Sequence, residues 1–429
     1  KFMIYYLASK PAYKVCYAES TDGVHWTKPN LGLAEWFGTK QNNALPQGNL
    51  WMRRPNVILD RHETDPARRF KMTYVDKHMV PEKGRRYPAI NKAWSPDGIH
   101  WKLNADGQPI SVYRTRHRHS TNLLGWDGRL GTYVAYTRVG STPNTIGRLT
   151  SDDFTDWTEP HEIIVPGPED VSADGQSLDF KGVAAAFYED IYVGVQWVFS
   201  REDRPLSSGE LVFSRDGINW QRLAPRQWFF PQGEPGEWDS GMVLPVAPLV
   251  YHDKLWFYYG AQNFPYTGEA YQSFRESWRQ RDDPTDGLNR HGNVMERATG
   301  VRNLRLDGFV SLRAGEEPGT LATRPLIATG KPLYVNAEVE GALKVAVLDE
   351  HGEPIEGFAA AQCAAVEGDA VAHRVQWDGG ELARLKDRPI RLRFVFDRGD
   401  LYAFWFGEPG DPLVRYDATN TGSYLADDD

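Results

Sequence analysis

The sequence predicts an all-β chain in two parts, a five-bladed β-propeller over residues 1–315 followed by a jelly-roll-like β-sandwich over residues 316–429. Three observations predict it. A short phrase recurs: STDGVHW ends at Trp26, SPDGIHW at Trp101 and SRDGINW at Trp220, with a degenerate SDDFTDW ending at Trp157. The copies lie roughly 55 to 75 residues apart, as strand modules with loops of variable length would. Between them stand short runs rich in Tyr, Val, Phe and Trp, bounded by Gly, Asp and Pro, and helical apolar spacing is scarce. Past Ala322 the pattern becomes alternating strands joined by short polar turns.

Each element follows from its composition. In the phrase, Asp-Gly supplies a tight turn whose glycine tolerates positive φ, and the tryptophan packs against the neighbouring sheet. Each copy therefore reads as the outer hairpin of one blade. The first unit has FMIYYLA and KVCYAES and nothing equivalent to an innermost strand. NVILD, FKMTYVD and PAINKAW serve the second, TYVAYTR and TIGRLTS the third, and GVAAAFYE, IYVGVQWVFS and GELVFS the fourth. The fifth has GMVLPVAPLVY, KLWFYYGAQ and VRNLRLD, with LDGF from Leu306 as a fifth, tryptophan-free copy of the turn. Five such units close on themselves around a central channel.

A polar, arginine-rich stretch from Phe264 to Met295 interrupts the fifth unit, with a short helix expected over Ala270 to Arg279. It reads either as a surface excursion or as a loop over the channel mouth. AGEEPGT, up to Thr320, reads as the linker, and KPLYVNAEVE, LKVAVLDEHGEPIEGF, HRVQW and IRLRFVFDRGDLYAFWFG supply the sandwich strands. The tail SYLADDD is expected to fray.

Bulk composition excludes several classes. The 429 residues exceed one ordinary core, and 41% hydrophobic with 25% charged residues is a globular balance. A formal charge of -9 with no long basic run argues against nucleic acid as a partner. Cys16 and Cys363 lie far apart and read as buried apolar residues, with no disulfide framework and no cysteine metal cluster. No stretch is long and apolar enough to insert in a membrane, and the opening KFMIYYLASK has the composition of a strand and no cleavable leader. No metal motif such as HExxH, no nucleotide-binding glycine loop and no GxSxG elbow is present, so no cofactor is expected.

Chemistry is expected where innermost strands begin, because residues entering from different blades converge on the channel there. GEWDSGMVLPVAP, from Gly236, places Glu237 and Asp239 ahead of one such strand. SLDFKGVAAAF brings Asp179 and Lys181, NLWMRRPNVILD brings Arg53, Arg54 and Asn56, and RTRHRHSTNLLGWD brings Arg118, His119 and Asn122. The three carboxylates are the catalytic candidates, with Glu237 as the acid and Asp179 as the ionised partner. The seven others are candidates for holding a hydroxyl-rich, carbohydrate ligand. Asp22, Asp97 and Asp216 recur with the turn and read as structural.

AESTDGVHWTKPNLGL, GTYVAYTR with IGRLTSDDFTDWTEP, and DSGMVLPVAP with LWFYYGA resemble a bacterial subgroup of the superfamily of glycoside hydrolase families 32 and 43. The resemblance runs from Lys1 to about Leu312, and the following sandwich is similar to the companion domain of that group. It implies a five-bladed propeller, secretion or a periplasmic location, and three acids from different blades: a base or nucleophile, a transition-state-stabilising aspartate and a general-acid glutamate. Glu237 or Asp239 corresponds to the late acid and Asp179 to one of the others. The first-blade acid has no counterpart, and WMRRPN carries arginines where an acid is expected. The Trp-Met-Asn-Asp-Pro and Arg-Asp-Pro motifs of fructosidases are absent.

The leading expectation is a glycosidase acting exo on a terminal sugar by paired-carboxylate chemistry. The alternatives are a noncatalytic glycan-binding propeller and a polysaccharide lyase using Tyr or His as base.

Overall fold

A computed structural model describes residues 1–8, 14–46, 52–104, 106–112, 121–140, 143–172, 175–200, 207–223, 227–264, 297–408 and 411. These residues are β-strands, turns and four short 3-10 segments. They fall into two compact units, one of Lys1–Val250 with Trp256–Arg302 and one of Tyr251–Leu255 with Asn303–Arg415. The linker expected near Gly315 thus lies inside the second unit.

In the first unit, successive antiparallel sheets follow one another along the chain. β1 (Phe2–Ala8) and β2 (Lys14–Ser20) pair as the first. β3 (Arg53–Leu59), β4 (Phe70–Val80), β5 (Arg85–Ser95), β6 (Lys102–Leu103) and β7 (Ser111–Val112) form the second. β8 (Thr121–Asp127), β9 (Thr132–Gly140), β10 (Asn144–Ser151) and β11 (His161–Ile164) form the third. The fourth begins with β12 (Asp179–Tyr188), β13 (Ile191–Phe199), β14 (Ser207–Ser214), β15 (Gln221–Arg222) and β16 (Trp228–Phe230). It continues through one parallel contact, Ser207 against Met242, into β17 (Met242–Pro245), β18 (Leu249–Tyr251), β19 (Lys254–Gln262) and β20 (Arg297–Arg305).

The recurring turn is built as its residues dictate. In STDGVHW, SPDGIHW and SRDGINW the serine hydroxyl accepts the glycine N–H at 2.9 Å each time. One aspartate oxygen accepts the two N–H groups that follow, at 2.8 Å and 2.8 Å from Asp22, and the glycines hold φ of 77°, 76° and 69°. These bonds favour the ionised acid, so Asp22, Asp97 and Asp216 all sit well below the usual carboxylate range. At Asp22 the His25 side chain contributes most, and at Asp216 the Asn219 N–H. At Asp97 burial opposes the shift and is outweighed by the bonds from His100, Ile99 and Ser95. In the degenerate copy Phe154 takes the glycine's place at φ 64°. The tryptophan-free LDGF belongs to the second unit, and there Asp307 rather than the glycine holds positive φ, at 57°.

Contacts that sequence does not display join each sheet to the next. Tyr5 of the first sheet donates its hydroxyl to the carbonyl of Gly98 in the second at 2.9 Å, and Tyr136 of the third donates to Gly217 in the fourth at 3.1 Å. Between the second and third, fully buried Lys71 lies 2.6 Å from Asp60 and 2.7 Å from Glu63, while Tyr133 donates to Asp60 at 2.6 Å. The last sheet returns to the first: Tyr258 donates to Gly23 at 2.7 Å, and its ring lies 5.8 Å from that of Trp26. The sheets therefore curl into a nearly closed, propeller-like arrangement, with aromatic and aliphatic residues filling each gap.

The second unit is built on β21 (Leu312–Ala314), β22 (Gly319–Ala322), β23 (Leu326–Ile327), β24 (Leu333–Asp349), β25 (Val366–Val375), β26 (Pro389–Phe396) and β27 (Gly399–Phe406). KPLYVNAEVE and LKVAVLD, expected as two strands, join in the 17-residue β24. Its first half pairs with β25 and β27 and its second half with β26, so one strand serves both parts of the sheet around a core that includes Leu333, Val345, Phe358 and Phe394. Cys16 and Cys363 are both buried and free.

Candidate functional site

In the second, third and fourth sheets the recurring turn occupies one end and the first strand of the sheet starts at the other. In the second sheet Ser95, which opens the turn, pairs with Phe70, which pairs with Leu59 at the far end of β3, whereas Arg53 pairs with Val75. The entrance end of β12 carries the first candidate acid. Asp179 is fully buried, and its carboxylate accepts the main-chain N–H of Asn144 at 2.7 Å and the Lys181 ammonium at 3.0 Å.

Local geometry explains why FKG places these groups together. The pairing of β12 with β13 shifts register between Phe180 and Gly182, a bulge that leaves Lys181 as the extra residue and turns its side chain toward Asp179. The ammonium also lies 4.4 Å from the centre of the Phe199 ring. Gly182 is required: an added Cβ would sit 2.7 Å from the Trp197 ring, whose N–H donates to the Pro245 carbonyl on β17 at 3.0 Å.

One row of paired residues extends this level across the sheet, from Asp179 through Phe199, Ser207 and Met242 to Gln262. Gln232 ties the row together by donating to the carbonyls of Ser207 and Gly241 at 3.2 Å each, and Arg297 donates to Gln262 at 3.0 Å. Sequence reasoning missed Asn144, Ser207, Gln232, Gln262 and Arg297, because none of them belongs to an innermost strand. The buried Ser207 hydroxyl, the side-chain amide oxygen Oδ1 of Asn144 and the Thr121 hydroxyl have no hydrogen-bond partner among the described residues. Such groups are sites for ordered water or ligand hydroxyls.

The other candidates divide. Asn56 accepts the Leu123 N–H at 3.0 Å, and Asn122 donates to the Val183 carbonyl, so both amides brace neighbouring innermost strands. Arg53 is half-buried beside the bulge of β3, and Arg54 is exposed with φ 52°. Arg118 and His119 lie outside the described residues, as does the stretch after Phe264 with its expected helix.

The Glu237 and Asp239 pair is a correction. The strand begins only at Met242, so neither acid projects from a strand mouth. Glu237 is exposed in a turn, its N–H donating to Glu234 at 2.9 Å and its carbonyl accepting from Ser240 at 3.2 Å. Asp239 faces inward and is buried. It accepts from Tyr259 at 2.9 Å and from Arg302 at 2.9 Å, and the Arg302 guanidinium lies 4.5 Å from the Phe230 ring and 4.9 Å from the Tyr259 ring. Burial, reinforced by the bond to Asp239, pushes the Tyr259 hydroxyl up. This acid is one half of an ion pair between aromatic rings. Among the described residues no cluster of His, Cys, Asp and Glu is set to hold a metal ion.

No family model matches the chain, and no curated protein matches it. It is similar in structure to an N-acetylgalactosamine deacetylase from F. plautii, with 15% identity over 72% of this chain and 90% of that one, at a TM-score of 0.46. It is also similar to a thermostable family-43 glycoside hydrolase, with 16% identity over 62% and 85%, at 0.44. A Bombyx mori GH32 beta-fructofuranosidase follows, with 10% identity over 95% and 89%, at 0.41. At these values the likenesses carry no argument about activity. No helix of the described residues is long and apolar enough to cross a membrane.

Proposed function

We propose that the chain is a glycoside hydrolase that takes a terminal sugar at the entrance end of its first unit, read as a five-bladed propeller, with the second unit as a sandwich. The observation that carries this reading is the Asp179 and Lys181 pair. The Asn144 N–H and the Lys181 ammonium hold this carboxylate in a set orientation, as a group that orients a sugar or faces positive charge developing at its anomeric carbon must be held. The side-chain oxygens of Asn144 and Ser207 near the same row, which have no partner among the described residues, suit hydroxyl groups.

Asp179 is the acid this reading keeps. Glu237 is solvated and Asp239 is neutralised by Arg302, so neither is set up as the proton donor that a paired-carboxylate mechanism requires. That same observation favours a second reading, a glycan-binding propeller without turnover.

One experiment separates them. The whole protein is incubated with a broad glycan panel, and released reducing sugar and product mass are measured beside Asp179→Asn and Glu237→Gln. Product lost in Asp179→Asn supports the hydrolase. Binding without product supports the second reading, and undiminished product in Asp179→Asn overturns the role given to that acid.

A further inference from the structure

Among the described residues two phenylalanines hold a left-handed backbone, Phe154 at φ 64° and Phe37 at φ 54°. A bulky residue in this region crowds its Cβ against backbone, so the conformation needs a compensating contact. Phe154 has one. Its ring is fully buried, edge-on to Tyr133 at 5.4 Å and Trp157 at 5.5 Å, with the Lys71 ammonium 5.4 Å from its centre. Phe37 is 69% exposed, and its ring neighbour is Trp36, 5.0 Å away.

The turn that presents Phe37 is well fixed. Trp36 and Thr39 exchange backbone hydrogen bonds at 2.9 and 3.2 Å around Phe37 and Gly38, and Gly38 holds φ 73°. This two-residue hairpin is of the kind that Asn-Gly forms with least strain. Trp36 anchors it on the buried cluster of Cys16, Ala34 and Ala44, against which Tyr6 and Ala8 also pack. Ala8 closes β1 and Cys16 lies near the start of β2, so the hairpin stands at the end of the first sheet opposite the Asp22 turn. That is the entrance end, the one at which β3, β8 and β12 begin.

We propose that the Phe37 ring is a stacking contact for one sugar ring of the saccharide bound at this end, an inference that rests on the function proposed above. The surroundings select the occupant. Glu35, Gly38, Thr39, Lys40 and Gln41 are all exposed, so a single aromatic ring stands among groups that bind hydroxyls. One such side chain offers roughly 150–250 Å². A stable protein interface needs about 1,000 Å². The face of one sugar ring matches the smaller area, and the rigid turn presents the aromatic ring with little freedom left to lose on binding.

The test is calorimetric titration of the whole protein with cellotetraose, xylotetraose and tetragalacturonate, comparing wild type with Phe37→Asn and Phe37→Trp. Asparagine tolerates the left-handed backbone, so Phe37→Asn is expected to melt at or above the wild-type temperature while its affinity falls about tenfold, and Phe37→Trp is expected to keep binding. Equal binding by wild type and Phe37→Asn overturns this inference and leaves the proposed function standing. Binding of none of the three by wild type overturns both. A melting temperature lowered by several degrees in Phe37→Asn would make the ring a folding contact of this chain and overturn the inference too.

Discussion

The two ends of the first unit are organised on different principles. At the turn end, the same serine, aspartate and glycine atoms make the same bonds in three copies, and a fourth keeps the aspartate bonds with Phe154 in the glycine's place. At the entrance end, β3 begins with two arginines, β8 with Thr121 and Asn122, and β12 with Asp179 and Lys181. Repetition marks the end that every sheet needs for closure. Individuality marks the end where separate sheets supply separate groups, and two of the buried acids, Asp179 and Asp239, show how that individuality must be read. Asp179 holds an ammonium beside polar atoms with no partner among the described residues, whereas Asp239 is enclosed by an arginine and two aromatic rings.

The largest expected effect tests that contrast at Asp179. Asp179→Asn removes the anion from the buried pair with Lys181 and is expected to cost about 3 kcal/mol in denaturant unfolding. On the substrate found by the glycan panel, turnover should fall about 100-fold or more. Asp179→Asn combined with Lys181→Met should recover most of the stability and none of the turnover. Recovery of both would make the pair a scaffold like Asp239 and erase the distinction.

Next comes the other acid. Arg302→Met is expected to destabilise by about 2–3 kcal/mol, because Asp239 is left buried and charged, with turnover unchanged. A stable variant that lost activity would move the site to this corner.

At the turn end, Ser95→Ala and Ser214→Ala should each lower stability by about 1–2 kcal/mol, since each strips the acceptor from a buried glycine N–H. The two values are expected to agree, with no change in turnover, and a marked inequality between them would contradict the equivalence of the copies.

The smallest effect is in pH. Asp22, Asp97 and Asp216 have folded pKa values below their unfolded ones, so their contribution is fully present above about pH 4 and is lost as pH falls further through the folded values. Melting temperatures of the whole protein should therefore decline below about pH 4, and Asp216→Asn should soften that decline. A variant with an undiminished acid slope would remove Asp216 from the linkage.

Much of the fold was legible because its signals are local. The Asp-Gly turns specify themselves through bonds between residues two or three apart, and β-rich runs such as FKMTYVD and IYVGVQWVF form β4 and β13. LDGF misled because Asp-Gly alone is a turn signal, while the serine that completes the motif is replaced by Arg305. The acids were legible as types and not as roles. The spacing of Glu237 and Asp239 suggested a shared strand face, yet the strand starts three residues later and Arg302, 63 positions away, claims one of them.

By itself the sequence determined the all-β character, the recurrent turns and the chain positions of Asp179 and Lys181, since turn chemistry and strand composition act between near neighbours. Only the tertiary structure decided which acid faces Arg302, that Tyr258 reaches Gly23 to bring the last sheet back to the first, and that Asn144, on a different strand, holds Asp179. Those outcomes depend on which surfaces meet when sheets pack, and contact between residues distant in sequence is set by the packing of whole faces rather than by the residues alone.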